Sequence, residues 1–445
     1  MNTVSIIGTG YVGLVTGTCL SEFGLNVVCA DTDARRILDL AEGRVPFHEP
    51  GLPALVAKNS SAGRLRFTTD IAETVSASQA IFLAVPTPAG EDGSADLRHV
   101  LEAADSIARH MDGYKVIVNK STVPIGTARR VKETVRAGLA RRGLDVPFDV
   151  ASNPEFLREG SAIRDFMHPD RIVIGSDNEK SREVVRDIYN VLYLIETPFV
   201  FTSPESAELI KYAANAFLAT KIAFVNEMAN LCEAVDADIR DVARAMGMDG
   251  RIGKYFLHPG PGYGGSCLPK DTRALVGTGR ERGVRMSIVE AVVEANEFQR
   301  RHMVAKVETG LSGLAGKTVA ALGLAFKQGT DDVRDSSAAA IVRELIGRGA
   351  RVRAFDPLAM ENARRMAFAE VAGIVFCADE YEAAGGADAL LILTEWNQFR
   401  HLDLARLAAV MSGRCFFDFR DLYEPAEVSR FGFTYVGTGR SGPRA

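Results

Sequence analysis

"TVSIIGTGYVGLVTGTCLSEFGLNVVCAD", residues 3–31, decides the fold. TVSIIG is apolar enough for a buried strand, GLVTGTCLSEFG predicts a helix that stops at Gly24, and NVVCAD predicts a second strand ending at Asp31. The turn between the first strand and the helix is GTGYVG, and an unbroken βαβ context is what such a turn needs to serve as a dinucleotide loop. Gly8 makes the turn, Gly10 lets the main chain approach a pyrophosphate, Tyr11 and Val12 lie between the glycines, and Gly13 allows close helix–strand packing. The helix N-terminus offers amides and a partial positive charge to the phosphates. Asp31 can take both ribose hydroxyls and would repel a 2′-phosphate, which favours NAD, while Arg36 leaves NADP open.

Working outward, AIFLAVPTP (80–88) and KVIVNKSTV (115–123) are further strands of a parallel sheet, and RIVIG (171–175) is expected to be its last. From about Ser203 the period changes. SPESAELIKYAANAFLATKIAFVNEMANLCEAV opens on a Ser-Pro-Glu start signal and predicts one helix over 203–236, long enough to be a spine or a dimer core. A second α/β segment begins at GKTVAALGLAFKQGTDD (316–332). It continues through the helix SSAAAIVRELIGRG (336–349) and the strands RVRAFDP, DALLILTEW and RCFFDFRD. The expected fold class is therefore α/β, with two Rossmann-like parallel-sheet domains joined by a long central helix and a helical middle domain. The tail GTGRSGPRA (437–445) is expected to be disordered.

Composition narrows the function. A chain of 445 residues holds about three domains. A net charge of −5 without a long basic run argues against nucleic acid as a partner, though not against an anionic substrate met by a local basic cluster. No apolar run reaches the length of a membrane span, and the start lacks the features of a secretory signal. The six cysteines show no CxxC pair and the seven histidines no HxxxH, so no metal is expected and a reducing cytoplasm is.

Four groups of polar residues need a chemical explanation. In NPEFLREG (153–160), Glu155 and Glu159 share a face if that piece is helical. In LIKYAANA, Lys211 and Asn215 lie four apart inside the apolar spine, where burial is costly without partners; a snorkelling lysine and a satisfied asparagine are the alternative. In GGSCLPKD (264–271), Pro269 is suited to the first position of a helix, which puts Cys267 at the N-terminus. Lys270 is close by, and both features favour thiolate, with Asp271 one turn on. Beside a dinucleotide site, this group points to an oxidation that carries an aldehyde on to an acid through a thioester. In GLAFKQG, Lys327 supplies a point charge suited to phosphate.

The stretches GTGYVG, KSTVPIGT (120–127), NPEFLREG, RIGKYFLHPGPGYGGSCLPKD (251–271) and GLAFKQGTDDVRDS (323–336) occur in that order at suitable spacing. In this the chain closely resembles the UDP-glucose/GDP-mannose dehydrogenase family over nearly its whole length. The resemblance implies an NAD-binding domain over 1–200, a helical dimerisation domain over 201–300 and a C-terminal UDP-sugar-binding domain over 301–445. It implies an NAD-dependent, four-electron oxidation of UDP-glucose to UDP-glucuronate by a cytoplasmic homodimer. GDP-mannose or a UDP-N-acetylhexosamine is the alternative substrate, because Leu268 follows the cysteine where UDP-glucose members usually carry Phe.

Residue roles follow from the resemblance alone. Cys267 would be the nucleophile, with Lys211 and Asn215 stabilising the oxyanion. Asp271 would act with Lys211 and a water in the first proton removal. Glu155 would activate the hydrolytic water, positioned by Thr122. Glu159 would lie near the nicotinamide, Thr87, Ser121 and Arg334 would contact NAD, and Arg36, Thr122 and Lys270 would fall with the cofactor residues. Lys327, Arg420, and Tyr255, Phe256, Leu257, Pro259 and Gly260 in the loop 255–262 would hold the nucleotide sugar, beside Gly264, Phe156 and Leu157. Arg251 would reach the diphosphate across the dimer. A one-step β-hydroxyacid dehydrogenase would need neither the third segment nor the cysteine, and an NAD-dependent regulator would need none of Cys267, Lys211, Asn215 and Asp271.

Overall fold

A computed structural model describes residues 3–88, 90, 95–195 and 197–440. The chain divides into two compact units. The first takes it to Ala214 together with Arg280–Arg282; the second takes Asn215–Gly279 and continues from Gly283.

The first unit holds strands β1 (Thr3–Ile7), β2 (Asn26–Ala30), β3 (Leu65–Thr68), β4 (Ala80–Leu83), β5 (Lys115–Asn119), β6 (Phe148–Ser152), β7 (Ile172–Gly175) and β8 (Phe199–Thr202). They form one sheet in the order β3-β2-β1-β4-β5-β6-β7-β8. The order reverses between β1 and β4, which fixes the ligand-binding crevice at the carboxyl ends of these strands. Side chains alternate across the sheet. Ile6, Phe82, Val116 and Val118 enter one core, whereas Ile7, Ile81, Leu83 and Ile117 enter the other. Near-continuous apolar strands are thus explained by helices covering both faces.

RIVIG is not the last strand. β7 pairs antiparallel with β6 through Ser152 and Gly175, and β8 then pairs parallel with β7. β8 escapes the sequence because it is a four-residue edge strand whose Val200 and Phe201 stay exposed, between Pro198 and Pro204.

The predicted long helix runs Pro204–Val235. Ser203 caps it, its hydroxyl accepting from the Ser206 amide at 3.2 Å. At the far end Asp236 adopts φ +58°, and the Ala237 amide returns to the Cys232 carbonyl at 2.9 Å. The boundary between the two units falls inside this helix.

The second unit holds β9 (Thr318–Leu322), β10 (Arg351–Phe355), β11 (Ile374–Phe376), β12 (Ala389–Ile392), β13 (Cys415–Asp418) and β14 (Thr434–Gly437), in the order β11-β10-β9-β12-β13-β14. Every pairing is parallel. Both sheets therefore carry the same winding, and the expected fold class holds. The tail departs from expectation. Gly437 ends β14, Thr438 and Gly439 are buried, and Arg440 pairs with Asp238, Asp421 and Glu424. Residues 441–445 lie outside the described residues.

Candidate active site

The glycine loop follows β1 into the helix Tyr11–Glu22. Gly8 has φ +104°, and a Cβ there would fall 2.4 Å from the Ala84 carbonyl oxygen; one at Gly13 would fall 1.9 Å from that of Gly8. Around Gly10, in contrast, nothing lies within 4 Å of a Cβ position, and no side chain caps the helix. Open space over unclaimed helix amides fits a pyrophosphate. Val12 is half-buried beside the first core.

Asp31 stands at the end of β2. Its Oδ2 accepts from the Thr9 amide and hydroxyl, both at 2.8 Å, and from Arg36 at 3.2 Å. Oδ1 accepts from the Asp33 amide at 3.1 Å, which leaves lone pairs for a ribose hydroxyl. Burial opposes the charge, but the Thr9 and Asp33 amides, the Thr9 hydroxyl and Arg36 outweigh it and hold the carboxyl below its ordinary range. Arg36 is committed to this pair and to Asp33 at 3.8 Å, which weakens its case as a receiver of a 2′-phosphate. Across the crevice, the Thr87 hydroxyl donates to the Thr122 carbonyl at 2.9 Å and the Ser121 hydroxyl to that of Val85 at 2.7 Å. These bonds join the loops after β4 and β5. The residues present therefore fit NAD.

Glu155 and Glu159 do not share a helical face, because residues 153–158 have no regular structure. Asn153 precedes a proline, which disfavours helix, and the Glu155 Oε2 accepts from the Leu157 amide at 2.6 Å, a local bond that competes with helical pairing. The other oxygen, Oε1, lies 3.0 Å from Lys211 Nζ. Lys211 is 3% exposed, so it does not snorkel; its burial is explained by Glu155, with the Phe156 ring 5.4 Å away. Glu159 is half-buried further along the loop. That loop is anchored by Glu49, which accepts from the Gly160 and Ala162 amides at 2.6 and 2.8 Å and from the Tyr11 hydroxyl. Burial, reinforced by Glu49, pushes the Tyr11 hydroxyl well up.

In the second unit, Cys267 caps the helix Leu268–Glu281, its carbonyl accepting from the Asp271 amide at 2.9 Å. Leu268 rather than Pro269 is the first helical residue; Pro269 sits second, where its missing N–H is equally harmless. Burial pushes the Cys19 and Cys29 thiols up to about 12 and raises those of Cys232, Cys377 and Cys415 as well. Cys267 alone of the six stands at the start of a helix as its cap. One turn in, Asp271 is 1% exposed and its Oδ2 accepts from Asn215 Nδ2 at 2.6 Å. Lys270 Nζ approaches Asp271 Oδ1 to 2.8 Å without hydrogen-bond alignment, so the contact is ionic and Oδ1 keeps its lone pairs. Lys211 and Asn215 stand one turn apart on the same long helix, as their spacing requires.

The loop before Cys267 is held by residues that the sequence analysis did not single out. Asn226 accepts from the Gly260 amide at 2.8 Å, Gln299 donates to the Gly260 carbonyl at 2.9 Å, and Asn296 accepts from the Tyr263 amide at 2.8 Å. Arg300 donates to the carbonyls of Tyr263 and Asp335. Buried Asn296, Gln299 and Arg300 at three-residue and one-residue steps on the helix Ser287–Gly310 were the available signal. Gly264 is required by close approach, since a Cβ would lie 2.6 Å from the Asp335 carbonyl oxygen. Within the loop, Phe256 takes φ +64°, Leu257 and Pro259 are buried, and Tyr255 is exposed.

Arg420 follows β13 and lies against Gly260, whose Cβ position is 3.2 Å from its Nη1. It donates to the carbonyls of Leu393 at 2.8 Å and Phe326 at 3.3 Å. Lys327 is the next residue after Phe326, so Arg420 and the Lys327 segment meet at the carboxyl ends of β9 and β13. Arg251 is exposed and paired with Asp249 at 2.6 Å, and Arg334 is paired with Asp332 at 2.7 Å. Among the described residues no group of three or more His, Cys, Asp or Glu is arranged to hold a metal, and no helix is long and apolar enough to cross a membrane.

A doubly wound sheet with a glycine loop at its switch point, and a second such sheet with basic residues at its carboxyl edge, define a nucleotide-binding oxidoreductase architecture. The chain belongs to the UDP-glucose/GDP-mannose dehydrogenase family: residues 2–193 match its NAD binding domain, 205–298 its central domain and 320–425 its UDP binding domain. It is 50% identical over 441 residues to a UDP-glucose 6-dehydrogenase of Rhizobium meliloti strain 1021, covering 98% of this chain and 99% of the relative. A UDP-glucose 6-dehydrogenase of Pseudomonas aeruginosa is 45% identical, with 99% and 97% covered. Among solved structures, a UDP-glucose dehydrogenase from Pyrobaculum islandicum superposes with a TM-score of 0.90 at 39% identity, covering 99% of this chain and 98% of that one.

Proposed function

We propose that the protein catalyses the NAD-dependent oxidation of UDP-glucose to UDP-glucuronate, with Cys267 as the covalent nucleophile. The observation that carries this reading is Cys267 as the cap of the helix Leu268–Glu281, with buried Asp271 one turn in and held by Asn215. The names of the relatives at 45–50% identity support the substrate. The matched UDP binding domain and the Arg420–Lys327 edge support a nucleotide diphosphate, and the matched NAD binding domain supports the cofactor.

Bound NAD supplies the hydride acceptor for each of two oxidations. Asp271, with Lys211 and a water, takes the proton of the sugar's C6 hydroxyl as the alcohol becomes an aldehyde. The Cys267 sulfur adds to that aldehyde, and Lys211 and Asn215 hold the resulting oxyanion. Loss of a second hydride from the same carbon leaves a thioester. Glu155 takes a proton from a water positioned by Thr122; the hydroxyl oxygen adds to the carbonyl, the C–S bond breaks, and the acid departs. The cofactor roles of Gly8, Gly10, Tyr11, Val12, Gly13, Asp31, Thr87, Ser121, Glu159, Lys270 and Arg334, and the substrate roles in the loop 255–262, rest on the same reading. So does the division into segments 1–200, 201–300 and 301–445.

The protein is read as a homodimer, supported by the exposed apolar face of the long helix, and as cytoplasmic, supported by six cysteines all present as thiols. The test is to count NADH per sugar consumed over a panel of UDP-glucose, GDP-mannose and UDP-N-acetylhexosamines. Two NADH per UDP-glucose, with UDP-glucose preferred, is the expected result; one NADH with released aldehyde would overturn it.

A further inference from the structure

Lys120 opens the stretch KSTVPIGT, and neither the cofactor site nor the mechanism above uses it. It directly follows β5 as Glu155 follows the end of β6, and it is 5% exposed. A buried ammonium needs acceptors for its three donors. Its Nζ donates to Asn153 Oδ1 at 3.0 Å and to the Tyr189 hydroxyl at 2.9 Å. Tyr189 in turn donates to the same Asn153 oxygen at 2.7 Å. Asn153 is otherwise fully committed: Nδ2 donates to the Val173 carbonyl of β7 at 2.8 Å, and its amide to the Asn119 carbonyl at 2.9 Å. The lysine therefore locks the ends of β5 and β6 to each other and to the helix Glu179–Tyr189. Two residues along one strand end is Thr122; two residues along the other is Glu155.

We propose that Lys120 is a positioning residue for Glu155, fixing where that carboxylate stands and, through its own charge, how readily it removes a proton from water. This rests on the proposed function, in which Glu155 activates the hydrolytic water. The charged and titratable groups facing Lys120 are Glu155 after β6, Lys211 on the long helix, and Tyr189 on the helix beside β7. Burial is the main influence on the ammonium and brings it down to about 7, Glu155 opposing that and Lys211 adding to it. Below neutrality Lys120 is charged and attracts the Glu155 carboxylate. As pH rises through neutrality that charge and its attraction are lost, so proton transfer from water to the carboxylate is no longer opposed and hydrolysis accelerates.

The experiment mixes full-length enzyme with UDP-glucose and NAD, quenches at intervals, and follows the acyl-enzyme by intact mass from about pH 6 to 9. Wild-type decay is expected to accelerate about tenfold or more with a midpoint near neutrality. Lys120→Arg keeps its charge throughout, so its decay should stay at the low-pH rate. Lys120→Met loses both clamp and charge; its decay should be at least about tenfold slower than wild type at the plateau and without the midpoint. Tyr189→Phe keeps the ring but removes one acceptor from the ammonium, so its midpoint should move to lower pH by about half a unit or more. Should either Lys120 variant fail to fold, Tyr189→Phe still decides. A wild-type decay without pH dependence, a Lys120→Met profile matching wild type, or an unmoved Tyr189→Phe midpoint overturns the proposal while leaving the thioester reading intact. Absence of any acyl-enzyme in wild type, with one NADH per sugar, overturns both.

Discussion

At the scale of single residues, Cys267 and Glu155 have separate tasks and their variants should fail differently. Cys267→Ala removes the atom that forms the adduct, so no acyl-enzyme should appear and acid production should fall by about a thousandfold or more. Cys267→Ser can still attack but forms an oxygen ester that hydrolyses slowly, and a protein of increased mass should accumulate. Glu155→Gln should trap the thioester on the intact cysteine, giving a burst of NADH before a slow steady state. Intact mass measured after mixing with UDP-glucose and NAD separates the three, and a Cys267→Ala enzyme releasing acid at near wild-type rate would leave the thiol a bystander. Asp31 tests the cofactor end. It already holds Thr9 and Arg36, so Asp31→Ser removes both a ribose acceptor and a loop anchor. NAD affinity should drop by about 1–3 kcal/mol with the preference over NADP narrowed, measured by titration with each dinucleotide. Wild-type enzyme that binds NADP as well as NAD would contradict the role given to Asp31.

At the scale of elements, the helix Thr127–Arg141 is capped by a neighbour. Its N-cap, Gly126, has no side chain, and Glu208 of the long helix takes the Gly126 and Ala128 amides at 2.6 and 2.9 Å and the Ser152 hydroxyl at 3.0 Å. Burial outweighs these donors and pushes the carboxyl up to about 7. Between its unfolded value and about 7, the native state binds the extra proton, so stability falls as pH rises through that window, and the loss is complete above it. Glu208→Gln cannot ionise. The melting temperature of the variant relative to wild type should therefore climb between about pH 5 and 8, by the equivalent of on the order of 1–3 kcal/mol. A difference that stays constant with pH would mean Glu208 is ionised throughout. Elements also divide what sequence could reveal from what it could not. β1, β2, β4 and β5 announce themselves as apolar runs closed by glycine, proline or a polar pair, because both of their faces are covered. β11 has three residues and β14 four, too few for a period to develop. NPEFLREG reads as helical only until the Glu155 carboxylate is seen to claim the Leu157 amide. The same holds for the site. Lys211, Asn215, Cys267 and Asp271 stand out as polar groups in apolar or glycine-rich surroundings. Lys120, Glu208 and Arg300 look like surface residues until partners 33 to 82 positions away are known.

At the scale of the whole molecule, the long helix leaves apolar area uncovered. Phe217, Phe224 and Leu231 recur every seven residues and are 66%, 44% and 52% exposed. The helix Ser287–Gly310 adds Ile288 and Phe298, at 70% and 53%. On the same long helix Ala219, Ala223, Ala229 and Cys232 are buried, so the helix has one side packed within its chain and another facing out. Each of these side chains, once the part still exposed is covered, contributes on the order of 1–2 kcal/mol, and a twofold axis counts every contact twice. Five such side chains on each protomer are enough to offset the translational and rotational cost of association, which runs to about 4–15 kcal/mol. The expected species is therefore twice the 48.0 kDa of one chain by light scattering at micromolar concentration. Replacing Phe217 and Phe224 together by Asp puts two charges per protomer into that face, where pairing would leave them desolvated. The double variant should elute as a monomer while keeping its helical circular dichroism, because neither ring is buried in its own chain. Loss of helix content along with the dimer would make the face part of the fold of the protomer itself, and a wild-type monomer at full activity would remove the dimer from the functional reading.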